Sequence, residues 1–307
     1  DLGREGTGFG DLWLLQPHDE PLALLGLEDI VCQLDGAEVT GVRSMDLLAR
    51  ADLQDGGVGV WMNQAAFQRH AFVLAMGANQ NSAGIVKRLY QPLTERETRT
   101  HPIDLGPFVR RRTQLPLAAA AAAGVGNLAF AALRTWRHLA AAQGLRIEPV
   151  RRFDASVQAT AGAGQATVRR EPGYLNRRLL DNPRCTYRAA AAFIGQLCVG
   201  YLAWTMRTHG GEGSELLVAD WQASSEAVLG SLLCNAVVQA RQEGCVCARV
   251  TLQDDTMRRA ARRLGFVRFD SSSSAIAGVH AEDPALLARL TAARWSLTDI
   301  SDDIDGF

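Results

Sequence analysis

One run of the chain has the residue types and spacing for chemistry: Gln54-Asp55-Gly56-Gly57-Val58-Gly59. Its glycines let backbone N–H groups crowd together, and the amphipathic segment that follows adds the unpaired donors of a helix N-terminus. Such a cradle suits a phosphate. The same glycines also suit an ordinary tight turn, so the loop by itself leaves both open. Metal chemistry finds less support. The six cysteines, at 32, 185, 198, 234, 245 and 247, form no C-x-x-C pair and have no histidine at ligand spacing, so no metal site is expected. Cys198 and Cys234 sit inside apolar runs as small buried hydrophobes, and a reducing, cytoplasmic setting fits them.

The chain has 307 residues, 47% hydrophobic and 21% charged, a globular balance with room for one large domain or two smaller ones. A formal net charge of −1 gives no basic field to draw nucleic acid or anionic lipid. Arg110-Arg111-Arg112 and Arg262-Arg263 read as solvated helix faces. No signal peptide is visible, and an opening Asp1 in place of Met fits a piece of a longer product. Leu115 to Leu133 is uncharged, but it is mostly alanine, with two glycines, a proline and an asparagine. A packed helix is expected there, not a membrane span.

The elements that must position the loop follow from pattern. Apolar or β-prone runs at 11–15, 22–34 and 38–50 predict strands, parted by Pro17, Pro21 and the hairpin signal Asp35-Gly36. Val58 to Gln68 predicts a helix, Ala71 to Met76 a short buried strand, and Ser82 to Tyr90 a second helix with Ser82 as N-cap. From His101 to about Ala142 the chain reads as helical, and 155–166 as a linker of small residues. Strands return at 190–207, turning at Gly195-Gln196, and again at 214–221 and 246–252. The helix Glu226 to Gln242 buries Val228, Leu229, Leu232, Leu233, Ala236, Val237 and Ala240 on one face, and a basic helix runs from Thr256 to Leu264.

The two halves share a spacing. Asp46 precedes Asn79 by 33 residues, and Asp220 precedes Asp254 by 34. Asp46 to Leu89 is 43 residues and Asp220 to Leu264 is 44, which suggests a duplicated unit.

The order strand, Q-D-G-G-V-G, helix, strand, Asn, helix resembles the GCN5-related N-acetyltransferase (GNAT) family. Gln54, Gly57 and Gly59 fit its loop Gln/Arg-x-x-Gly-x-Gly/Ala, while Asn79, Ser82 and Ile85 fit its N-x-x-S-x-x-I segment. "RRLGF" (262–266) is similar to the family's closing helix and strand. "GYLNRRLLDNP" (173–183) and "WSLTDISDDIDGF" (295–307) resemble tandem acetyltransferase-like proteins of bacteria, some of them linked to surface-polysaccharide genes. The resemblance implies a mixed-sheet α/β class: two tandem acyl-CoA N-acyltransferase-like domains at 1–100 and 165–307, joined by a helical segment and linker at 101–164.

It also implies roles. The pantetheine arm of acetyl-CoA would add as a short strand to Leu47, Leu48 and Ala49, and amides of Gln54, Asp55, Gly56, Gly57, Val58, Gly59 and Val60 would hold its pyrophosphate. Asn79 and Ser82 complete the coenzyme-binding set. Transfer needs a base for the acceptor amine, with Asp46 and Glu28 as candidates, and an acid for the leaving thiolate. The family's tyrosine falls at Val86 and Ala261, which cannot donate a proton, so Tyr90 is the displaced candidate acid. His70 and Cys32 read as structural. In the second half, "WQASSEAVLGSLL" puts Ser and Ala where glycines belong, and Ser224 is expected to cap the following helix.

The expected activity is acetyl transfer from acetyl-CoA to a small-molecule or protein amine, without metal, nucleic acid or membrane. The alternative is a catalytically degenerate acyl-CoA-binding or regulatory protein of the same fold. A transferase using charged tRNA is disfavoured by the near-zero charge and the CoA-type loop.

Overall fold

Asp35 and Gly36 take positive φ values of 53° and 79°, the geometry that lets a two-residue turn follow the twist of its strands. They join β3 (Ala23–Leu34) to β4 (Ala37–Ala49), the longest hairpin of the first sheet. In this computed structural model, residues 2–6, 10–16, 20–76, 82–110, 124–128, 144–156, 165–209, 213–268 and 274–299 are described. The first sheet begins with β1 (Leu2–Gly6) and β2 (Gly10–Leu15), antiparallel to one another and, through β2, to β3. β4 then pairs in parallel with β5 (Val73–Met76) through a crossover containing α1 (Val58–Phe67). α1 buries Met62, Ala66 and Phe67 against Leu25, Leu27, Val42 and Val73, and α2 (Ala83–Leu89) follows β5.

After α2 and the two-residue β6 (Gln91–Pro92), the chain leaves this sheet. β7 (Arg96–Pro102) pairs antiparallel with β13 (Cys247–Leu252) of a second sheet, so a strand replaces the start of the helical stretch expected from His101. α3 (Gly106–Arg110) and residues 124–128 are helical; the rest of the alanine-rich run lies outside the described residues. The second sheet also contains β8 (Arg146–Val150), β10 (Tyr187–Ile194), β11 (Leu197–His209) and β12 (Gly213–Ala223). β9 (Gln165–Val168), whose first two residues fall within the 155–166 stretch expected as linker, pairs with Cys32–Leu34 of β3. α4 (Pro172–Leu175) leads into the second sheet. There α5 (Glu226–Gln242) buries the seven apolar residues its periodicity predicts, and α6 (Asp255–Arg263) follows β13.

The exchange is reciprocal. β14 (Ser274–Ala275) pairs with β7, then β15 (Ala277–His280) crosses to the first sheet, between β5 and β6. α7 (Pro284–Ala292) and β16 (Arg294–Trp295), which pairs with β9, are followed by a segment described as far as Asp299. Divisions at 100 and 165 therefore leave strands on the far sheet. A buried polar network spans the same junction. Asp220 on β12 accepts bonds from Arg170 Nε (3.0 Å), from the Tyr201 hydroxyl (2.6 Å) and from Thr298, while Asp299 accepts from Thr251 (2.9 Å) and from Arg96. A buried charge left without its partner is costly, so Arg170 and Asp220 fix each other's place. Among the described residues no helix is long and apolar enough to cross a membrane.

Cys32 is fully buried, and burial pushes its thiol up to about 12; Cys247 is pushed to about 12 for the same first reason. An unfolded chain ionises its thiols near about 8.5. Above that pH the unfolded chain sheds protons that the folded chain keeps, so stability is lost as pH rises toward 12. The slope expected is about 1.4 kcal/mol per pH unit for each thiol. Denaturant unfolding at a series of alkaline pH values measures it, and Cys32→Val should make the decline shallower. An identical slope in that variant would refute the assignment.

Candidate functional site

The site starts from a break in backbone pairing. β4 and β5 are in register only at Val42↔Val73, Arg43↔Leu74 and Ser44↔Ala75. Beyond Ser44, β4 runs on to Ala49 past the end of its pairing with β5, so among the described residues Leu47 and Leu48 lie along an edge that β5 does not cover. Leu48 is 62% exposed there. The divergence coincides with a bulge. Asp46 and Leu47 both oppose Leu25, and Asp46 takes φ of 49°, unusual for a residue with a side chain.

The glycine run lies at the end of that edge. Ala51–Gly56 forms a short 3₁₀ turn, and Gly57, at φ of 72°, reverses the chain into α1. No side chain caps α1, and its first backbone bond runs from Trp61 N to Gly57 O. The amides of Val58, Gly59 and Val60 are thus the donors that a helix start leaves over. Gly59 has a different task. A Cβ there would lie 2.8 Å from Ile85 Cδ1 and 3.1 Å from Leu47 Cδ2, so its bareness lets α1 approach both α2 and the open strand. Ser82 occupies the N-cap position of α2 but makes no capping bond with its side chain, and Asn79 lies outside the described residues.

Tyr90, just past α2, reaches the point of divergence. Its hydroxyl donates to Asn63 Oδ1 and lies 3.4 Å from Ser44 Oγ, the last β4 residue paired with β5. Asn63 in turn donates to Gly59 O at 2.7 Å, so one chain of bonds joins the glycine loop to the strand break. Tyr90 is buried, and burial pushes its phenol above the usual tyrosine range. Glu28 sits elsewhere. It alternates with Leu27, which packs under α1, and on the other face it pairs with Arg43. Asp46 is exposed at the bulge. Ser44 and Asn63 carry no motif. Asn63 could be noticed only as the residue one helical turn after Gly59.

The second sheet repeats the strand break without the loop. β12 and β13 pair from Glu215↔Cys247 to Val218↔Val250, and β12 continues to Ala223. At the start of α5, however, the Ser225 hydroxyl accepts from Val228 N, while Ser224, expected as the cap, gives its N–H to Val199 O. A cavity of about 280 Å³ lies there, lined among others by Arg170, Trp221, Ser225, Glu226, Asp254 and Trp295. Among the described residues no cluster of His, Cys, Asp and Glu could hold a metal ion.

Solved structures share this architecture. The chain superimposes on Saccharomyces cerevisiae N-myristoyltransferase with bound myristoyl-CoA at a TM-score of 0.55 and 9% identity, covering 89% of this chain and 70% of that one. It matches a GCN5-related N-acetyltransferase from Anabaena variabilis at a TM-score of 0.52 and 11% identity, covering 87% of this chain and 62% of that one. The fold is that of the GCN5-related acyltransferases. No protein-family model matches the sequence, and no curated protein is detectably similar to it. The chain spans less than two thirds of the Anabaena protein, and identities this low carry the fold alone. Both sheets contain a divergent strand pair, and the uncapped start of α1 is what sets the first apart from the second.

The packing of Gly59 is testable by stability alone. Gly59→Ala should cost about 1 kcal/mol, because the atoms it meets are ends of flexible side chains that can give way. Gly56→Ala, with nothing within 4 Å of the added carbon, should stay within about 0.5 kcal/mol. Equal denaturation midpoints for the two variants would contradict the close approach.

Proposed function

We propose that this chain is an acyl-CoA-dependent N-acyltransferase that uses acetyl-CoA and an amine acceptor. The observation that carries the reading is the divergence of β4 from β5 beyond Ser44, with β4 ending against the uncapped start of α1. The edge offers backbone donors and acceptors to the amides of a pantetheine arm, as an added strand would. The amides of Val58 to Val60, presented by the left-handed Gly57, suit a pyrophosphate. An acyl-CoA supplies an activated thioester carbonyl for the amine to attack. Asp46, exposed at the bulge, is the better placed base, since Glu28 is engaged by Arg43. Tyr90, with its proton held by burial and given to Asn63, serves as a fixed hydrogen-bonding group, and the thiolate takes its proton from water.

One coenzyme is expected per chain, in the first sheet. At the start of α5 the serine cap already uses a helix donor, and Glu226 adds a negative charge. We assign the second half as a duplicated, degenerate copy that shapes the acceptor side. A second reading, a coenzyme-binding protein without turnover, is favoured by the commitment of the Tyr90 hydroxyl to Asn63.

Calorimetric titration with acetyl-CoA should give a stoichiometry near one. Gly57→Glu, which adds a side chain at φ of 72° and a charge facing the pyrophosphate, should abolish binding in a protein of unchanged circular dichroism. Undiminished affinity in that folded variant sinks the loop assignment. Turnover should rise with pH as the amine deprotonates, with no alkaline limb from Tyr90. A limb present in the native enzyme and absent in Tyr90→Phe would instead make Tyr90 the acid.

A further inference from the structure

We propose that His280 is a positioning residue for the Ser44–Tyr90 hydroxyl pair at the strand break, supplied to the first sheet from the far end of the chain. The inference rests on the acyltransferase reading for its purpose, though not for its geometry. His280 is the last residue of β15, the strand that crosses from the second sheet to pair with β5. Its Nδ1 lies 3.2 Å from Leu89 O. A carbonyl oxygen can only accept, so the hydrogen sits on Nδ1.

That contact fixes where α2 stops. α2 has seven residues, and the carbonyls of its last turn have no partner within the helix. By bonding the carbonyl of Leu89, the final helical residue, His280 acts as a C-terminal cap delivered through space. Tyr90 comes next and turns to an extended conformation, φ −112° and ψ 148°. Two further contacts complete the seat. The imidazole stacks on Phe67 with centroids 3.7 Å apart and planes 18° apart, and Phe67 meets the Tyr90 ring edge-on at 5.2 Å. Gly278, two residues before His280, lies so near that a Cβ there would stand 2.8 Å from Tyr90 Cβ. Ring and hydroxyl of Tyr90 are therefore both held, and β15 meets its Cβ through Gly278 and its ring edge through His280, centroids 6.5 Å apart. Without His280 the end of α2 is free to fray, and the hydroxyl drifts from Ser44.

The test follows the Tyr90 ring in the full-length protein by carbon-13 NMR of tyrosine labelled at Cζ. The chain has four tyrosines, and Tyr90→Phe identifies the resonance. His280→Ala should move that resonance and leave the other three in place. His280→Asn, whose side-chain amide can donate from nearly the position of Nδ1, should restore it, while His280→Gln, with a longer reach, should not. If the alanine variant fails to fold, the Asn and Gln pair decides: identical spectra from the two would overturn the proposal, as would an unmoved Tyr90 resonance in folded His280→Ala. Acetyl-CoA added to the native protein should shift the same resonance. Binding without that shift would remove Tyr90 and His280 from the site while leaving the acyltransferase reading intact. Absence of binding would sink that reading, and the variant spectra would still judge the geometry.

Discussion

A strand edge inside a folded protein must find partners for its N–H and C=O groups, and that constraint organises this molecule. β5 has only four residues and two edges to satisfy. β4 covers one edge for three residues, and β15, arriving from more than two hundred residues later in the chain, covers the other. Among the described residues β5 does not pair with β4 beyond Ser44, and the functional reading rests on that divergence. A sheet that closed completely would be better paired and would have nowhere to put a ligand's amides.

The reciprocal exchange of β7 and β15 has a mechanical consequence. Neither sheet is built from one continuous stretch, so the halves cannot separate without each losing a strand. The Arg170–Asp220 pair, with Tyr201, Thr167 and Thr298 around it, lies at the same junction and ties β9, β12 and the final segment together. Burying a guanidinium and a carboxylate this deeply demands that nearly every donor and acceptor be met, which gives a rigid join in place of a hinge. On such a frame the C-terminal part of the chain serves the first sheet directly. It supplies β15, which pairs with β5 and β6 and brings Gly278 against Tyr90.

The two strand breaks diverge in what lies at their ends. In the first sheet, a glycine with positive φ leaves the helix start bare and approachable; in the second, a serine closes it. The difference amounts to a few side-chain atoms, yet it decides whether convergent amides are free for an anion. Ser225 in place of the expected Ser224 illustrates how local this decision is: two adjacent serines compete, and the backbone of the first is drawn to Val199.

Much of this was legible in the chain itself. The Asp35-Gly36 turn, the apolar face of α5, the glycine loop and the start of α1 at Val58 all depend on near neighbours, and local pattern reports them faithfully. What the sequence could not disclose is where strands go after they form. His101 and Pro102 read as the start of a helical stretch because nothing local records β13 as the partner of β7, and Gln165 and Ala166 read as linker until β3 was beside them. Ser44, Asn63 and His280 carry no motif, since their importance arises from converging on Tyr90 and its flanks from β4, α1 and β15. Turns and helix faces are written by covalent neighbours; the site is made by residues that only tertiary pairing brings within hydrogen-bond reach.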